Sequence, residues 1–353
     1  MSGQDWENRK QIMIDTEDRM EEAELGMRLF GSISHRADED SFYFAGDELR
    51  DAPLSEQQIR RVGFRRAEGM PAVHAAIYRA RPEVNVVVCT RQCYGSVLGV
   101  IRQDELVAED ASGKRLKIRV VPFSLPGSDA QRSLVRRLAG KEKNVGFLIT
   151  ANSGVIAFGQ DAEEAFGSAL MLESYAKLYL SKLCRTQIPC AVVHGYDSVR
   201  TDAGEIRYAK TDTPARVRMI HEQIYAKRPE AGAVVHNRSE AALTVSRLYE
   251  RLYPLYDDYV RLAGRAARIP VDPCGCIGRD TVYVTNDCNL VFSFDDGAYC
   301  IGGDEREAQF VARSAERACI AQIAATRLDG ANILSTRDVR RLSKRKGGSE
   351  NGW

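Results

Sequence analysis

The chain has no excess of charge of either sign: 50 Lys and Arg against 49 Asp and Glu give a formal net charge of +1. With no global field to attract a polyanion or an anionic bilayer, neither nucleic acid nor membrane is an expected partner, and charged contacts must be argued locally. No apolar run approaches the roughly 20 residues that a membrane-spanning helix needs. The opening MSGQDWENRK is polar, without the apolar segment of a secretion signal. Nine cysteines, an odd number with irregular spacing, make no disulfide framework, so reduced thiols in a cytoplasmic protein are the expectation. Cys274, Cys276 and Cys288 invite a zinc reading, but the spacing matches no standard knuckle and free thiols are expected there too.

What the chain does have is an internal repeat. HAAIYRARPEVNVVV, starting at His74, returns as HEQIYAKRPEAGAVV, starting at His221, and 8 of the 15 positions agree. SGVIAFGQDAEEA from Ser153 is matched by DGAYCIGGDEREA from Asp296. Two matched segments in one order at nearly one separation mark a duplicated fold unit. Residues 1–185 and 186–335 form the two expected domains, with a long helix over 162–184 closing the first and shared with or followed by the second.

Within the first copy, residues 9 to about 30 read as an amphipathic helix, SISHRA and SFYFAG as short strands, and VNVVVCT as a buried β-branched strand. Pro126-Gly127-Ser128-Asp129 reads as a turn and helix cap. In the second copy Tyr249, Tyr253, Tyr256 and Tyr259 recur every three or four residues, as on one helix face that either lies on the domain or joins protomers. The end of the chain, 336–353, is charged and rich in Gly and Ser, which predicts a disordered basic tail. Its Lys344-Arg345-Lys346 run is expected to be solvated.

These blocks together resemble the class II aldolase and adducin family: a Gly-x-Ile-Ser loop at Gly31 to Ser34, the HxxIYxxRP helix, the strand after it, Pro126-Gly127-Ser128, and the strand-turn-strand running into the long helix. The resemblance implies an α/β fold, two tandem three-layer α/β/α domains with mostly antiparallel central sheets. It also implies cleavage or epimerisation of phosphorylated ketoses at a divalent metal held by three histidines, with a glutamate for proton transfer, in oligomers whose sites lie between subunits. Adducin keeps the fold for binding alone.

Carried onto this sequence, the ligand positions fall on Cys89, Arg91 and Ser153 in the first copy and on His236, Arg238 and Asp296 in the second. The glutamate falls on Met70 and Val217. A guanidinium is permanently charged and offers no lone pair to a metal, so Arg91 and Arg238 speak against zinc. His236 and Asp296 alone remain as metal ligands. The expectation is therefore a pseudoenzyme without a cofactor, with a zinc-type divalent metal as the alternative, in which case a lyase or epimerase acts on a phosphorylated or carboxylated sugar. A fixed arginine in place of a metal can grip a carboxylate or phosphate. Arg91, Ser153, Arg238, Ser32 and Ser34 are thus candidates for binding a small anionic or sugar-phosphate-like ligand, in a homo-oligomer. The alternative is that Arg238 pairs with Asp296 in place of the metal. His74 and His221 are expected as packed or hydrogen-bonded core residues.

Overall fold

The computed structural model describes residues 3–101, 105–109, 115–271, 281–328 and 330–344. The chain divides into two units, the first ending at Lys182 and the second beginning at Leu183. Among the described residues no helix is long and apolar enough to cross a membrane.

Unit 1 runs α1 (Gly3–Glu22), β1 (Ser32–Arg36), β2 (Ser41–Gly46), β3 (Arg60–Gly63), α2 (Gly69–Ala80), β4 (Val86–Thr90), α3 (Cys93–Leu98), β5 (Glu105–Glu109), β6 (Arg115–Val121), α4 (Asp129–Lys141), β7 (Phe147–Thr150), β8 (Val155–Gly159) and α5 (Ala162–Cys184). Its strands form one sheet in the order β3-β2-β1-β4-β8-β7-β6-β5. Among the described residues only β6 and β7 pair in parallel. The β-branched run of β4 is buried throughout, a central strand paired with β1 on one side and β8 on the other. Val87 and Cys89 point to one face and join Val73, Ile77 and Tyr78 of α2 in the core, as the two-residue period of a strand requires. The helix α4 packs on α2, and its Ser128 cap accepts from the backbone N–H of Gln131.

Unit 2 contains β9 (Ser198–Arg200), β10 (Ile206–Tyr208), α6 (Ala215–Lys227), β11 (Ala233–Asn237), α7 (Glu240–Leu248), β12 (Arg251–Leu252), α8 (Asp257–Leu262), β13 (Ala267–Arg268), β14 (Leu290–Ser293), β15 (Gly297–Gly302), α9 (Glu305–Ala325) and α10 (Thr336–Lys344). Its sheet has the order β10-β9-β11-β15-β14, wholly antiparallel. That order is β2-β1-β4-β8-β7 of unit 1 again. One face packs against α6 through Val217, Ile220, Ile224, Val234 and Ile301, and α7 and α9 pack on the sheet at β15 and β11. Helices thus lie on both faces, as the three-layer expectation required.

Three expectations need correction. The first helix stops at Glu22, earlier than residue 30, because Glu24 (φ 58°) and Gly26 (φ 68°) turn the backbone left-handed. Residues 336–344 are the helix α10, held by the burial of Val339 and Leu342, so tail composition was overridden by two apolar anchors. The tyrosines share no helix face: Tyr249 follows α7, Tyr253 lies after β12, and only Tyr259 is inside α8. Tyr256 and Tyr259 are fully buried, which makes them core residues and not a protomer surface. Cys274 and Cys276 lie outside the described residues, while Cys288 is a buried free thiol.

Candidate functional site

The residues that define the repeat hold each unit together. In unit 1, Ser34 Oγ lies 2.7 Å from His74 Nδ1 and 2.7 Å from the Tyr78 hydroxyl. In unit 2, Ser198 Oγ lies 2.6 Å from His221 Nδ1 and 3.0 Å from the Tyr225 hydroxyl. Arg36 and Arg200 each donate to the carbonyl of that tyrosine, at 3.2 Å and 2.7 Å, with the guanidinium over its ring. Burial pushes both histidines down to about 3, so they are neutral hydrogen-bonding core groups. The helix motif thus encodes a Ser-His-Tyr pin between helix and sheet.

Unit 1 presents no open ligand cluster at the expected positions. Ser32 Oγ lies 2.9 Å from His74 Nε2, so both Ser32 and Ser34 are engaged with this ring and both are fully buried. Cys89 Sγ lies 3.3 Å from the same nitrogen, and burial pushes its thiol up to about 12. Arg91 is 5% exposed and Ser153 is 4% exposed. A Cβ on Gly154 would lie 2.1 Å from the Thr90 carbonyl and 3.0 Å from Arg91 Nη1. The β7-β8 turn therefore presses against the end of β4 and closes over the arginine.

Unit 2 is built differently at the same positions. His236 stacks on Tyr299 at 4.1 Å, and its Nε2 lies 2.8 Å from the Asp296 carbonyl oxygen. Facing a carbonyl, that nitrogen carries the proton. Burial, the first cause, pushes the pKa of His236 down. The Asp296 carboxylate is buried and takes Arg216 Nη2 at 2.8 Å, the Tyr299 hydroxyl at 2.7 Å and Arg238 Nε at a looser 3.5 Å. Arg216 and Arg238 keep 32% and 38% of their side chains exposed. Both guanidiniums meet the one carboxylate while part of each side chain reaches solvent.

The segment around each arginine is tied to a glutamate on the following long helix, and Glu316 is buried. Glu316 accepts from Asn237 Nδ2 at 2.7 Å and from Ser239 Oγ at 2.5 Å, the residues on either side of Arg238. Glu173 accepts from the backbone N–H groups of Tyr94 and Gly95 at 2.8 and 2.7 Å, just after Arg91. Glu173 and Glu316 have the same spacing as Ser153 and Asp296, a signal the sequence contained and the motif reading passed over. Arg216, one residue before Val217, was also missed, because nothing in a linear pattern reveals that its side chain reaches Asp296.

The model of the class II aldolase and adducin N-terminal domain matches the chain twice, over residues 11–180 and 186–323. The chain belongs to the class II aldolase and adducin family. An L-fuculose phosphate aldolase from Methanocaldococcus jannaschii is 30% identical over 139 residues, covering 39% of this chain and 66% of that relative. The chain thus spans just under two thirds of the relative's length. Among solved structures, L-fuculose-1-phosphate aldolase from Thermus thermophilus superposes with a TM-score of 0.42 at 16% identity, covering 49% of this chain and 92% of the other. A sugar-phosphate aldolase from Thermotoga maritima gives 0.41 at 20% identity, with 53% and 99% covered. At those scores the superpositions carry no argument about activity.

The residues at the expected ligand positions differ from the three-histidine set that the family resemblance implies. Zinc needs neutral imidazole or anionic donors with free lone pairs. In unit 2 His236 donates through Nε2 to the Asp296 carbonyl and leaves Nδ1 without a hydrogen-bond partner, Asp296 pairs with Arg216, and Arg238 holds a fixed cation beside them.

Proposed function

We propose that this tandem class II aldolase-like protein has given up the family's metal chemistry and serves as a small-anion-binding or assembly protein, with unit 2 as the binding unit. The observation that carries this reading is the clasp at Asp296. Arg216 and Arg238 share one carboxylate and keep solvent-facing edges. A carboxylate or phosphate on a small sugar-like ligand would meet those edges through charge-assisted hydrogen bonds, the contact that guanidinium geometry suits best. Ser32 and Ser34 are read as structural in unit 1 because they are buried and bond to His74, and Arg91 and Ser153 because they are buried. The protein is further proposed to be cytoplasmic and homo-oligomeric, with the joined copies standing for neighbouring subunits.

Calorimetric titration with inorganic phosphate and with a small sugar acid tests the reading. The wild type is expected to bind, and Arg238→Met to bind at least tenfold more weakly, about 1.4 kcal/mol. Absence of binding to either ligand, or equal binding by the variant, refutes it. A second reading is favoured by the 30% identity to an L-fuculose phosphate aldolase: a divergent metal-dependent lyase acting on a phosphorylated or carboxylated sugar. Protein purified without a histidine tag would then carry stoichiometric zinc, manganese or iron, and His236→Ala would lose it.

A further inference from the structure

The helix α10 carries a charge pattern that the composition of the chain conceals. Arg337, Arg340, Arg341 and Lys344 follow one another at i, i+3, i+4 and i+7, so they form a single stripe on the helix. All four are exposed, while Val339 and Leu342 on the opposite side are buried and α10 packs on α8. The single acid of the helix, Asp338, is occupied at the N-terminus, where it receives the Ser335 hydroxyl at 2.6 Å. Among the described residues no ion pair engages any of the four cations. The stripe spans roughly 10 Å at about 1.5 Å per residue.

We propose that α10 is a sequence-independent docking surface for the phosphate backbone of a nucleic acid. Three of the four cations are arginines, whose planar forks match phosphate oxygens. The apolar side of the helix is spent against the body of unit 2, so α10 has no apolar face to lay into a bilayer, which is how amphipathic helices hold membranes. A narrow stripe on a convex helix suits a line of phosphates better than a plane of headgroups. No aromatic residue lies within α10 to stack on a base, so the contact reads charge and not sequence. The near-neutral net charge of the whole chain argued against such a partner; folding the tail into a helix aligns charges that a disordered tail would scatter.

Fluorescence anisotropy of a labelled 20-base-pair duplex with the full chain tests this. Four phosphate contacts predict a slope of log K against log salt of about −3.6, which is roughly a hundredfold loss between 50 and 200 mM salt. The combined variant Arg337→Ala, Arg340→Ala, Arg341→Ala and Lys344→Ala, which keeps Val339, Leu342 and helix propensity, is expected to lose binding at 50 mM salt. The triple variant Arg337→Lys, Arg340→Lys and Arg341→Lys keeps the charges and is expected to keep the slope, which separates lost charge from lost folding. Three results overturn the proposal: no binding by the wild type at 50 mM salt, an unchanged slope in the alanine variant, or tighter capture by phosphatidylserine vesicles than by the duplex.

Discussion

Replacing Glu316 by glutamine should remove much of the pH dependence of stability in unit 2. Glu316 is 1% exposed, its hydrogen-bond partners Asn237 and Ser239 are neutral, and Oε1 is buried without a hydrogen-bond partner. Burial, countered only in part by these donors, pushes its carboxyl from the ordinary 4.5 up to about 7. The folded protein therefore binds this proton more tightly than the unfolded chain does. The stability tied to it is fully present below about pH 4.5 and is lost as pH rises to about 7. Over that window the loss is about 3 kcal/mol, an order-of-magnitude figure. Glutamine stays neutral and its carbonyl can still accept from Asn237 and Ser239. Calorimetric melting of wild type and Glu316→Gln at pH 5, 6, 7 and 8 should give curves that diverge as pH rises, with the variant gaining relative to wild type. Parallel pH profiles in the two proteins would refute the assignment of this proton to Glu316.

Tyr78→Phe and Tyr225→Phe each remove the hydroxyl that meets the pinning serine, and each should cost about 1 kcal/mol in urea denaturation; a several-fold difference between them would mean that the two pins are not equivalent. Gly297→Ala should cost about 2 kcal/mol or more. Its φ is +87° and its Cβ would lie 2.3 Å from the Asn237 carbonyl, so an unchanged urea midpoint would contradict the close approach of β15's turn to the end of β11.

Much of the architecture was legible because the repeat preserves the residues that do structural work. His74, Tyr78 and their counterparts His221 and Tyr225 pin helix to sheet in both units, and a burial pattern this dependent on side-chain identity survives duplication. Gly154 and Gly297 survive because each lies against the carbonyl at the end of the central strand. The candidate site was less legible. Arg238 and Asp296 were picked out by their positions, but Arg216 joins them only through the approach of the first turn of α6 to the turn before β15. The tyrosine series failed because β12 interrupts the helical phase on which that reading depended.

Sequence alone determined that the chain carries the same segments twice in the same order, and the family resemblance implied that arginine stands at a ligand position in each copy. The repeat follows from residue type and spacing, which are local. Tertiary structure decided which arginine is accessible: Arg91 is closed over by the Gly154 turn, whereas Arg238 shares Asp296 with Arg216 at the surface. It also decided that the last described residues form a helix, because Val339 and Leu342 find apolar partners only once unit 2 has folded beneath them. Burial, carboxylate sharing and the alignment of charges depend on what distant segments bring to a residue, and no linear pattern contains that information.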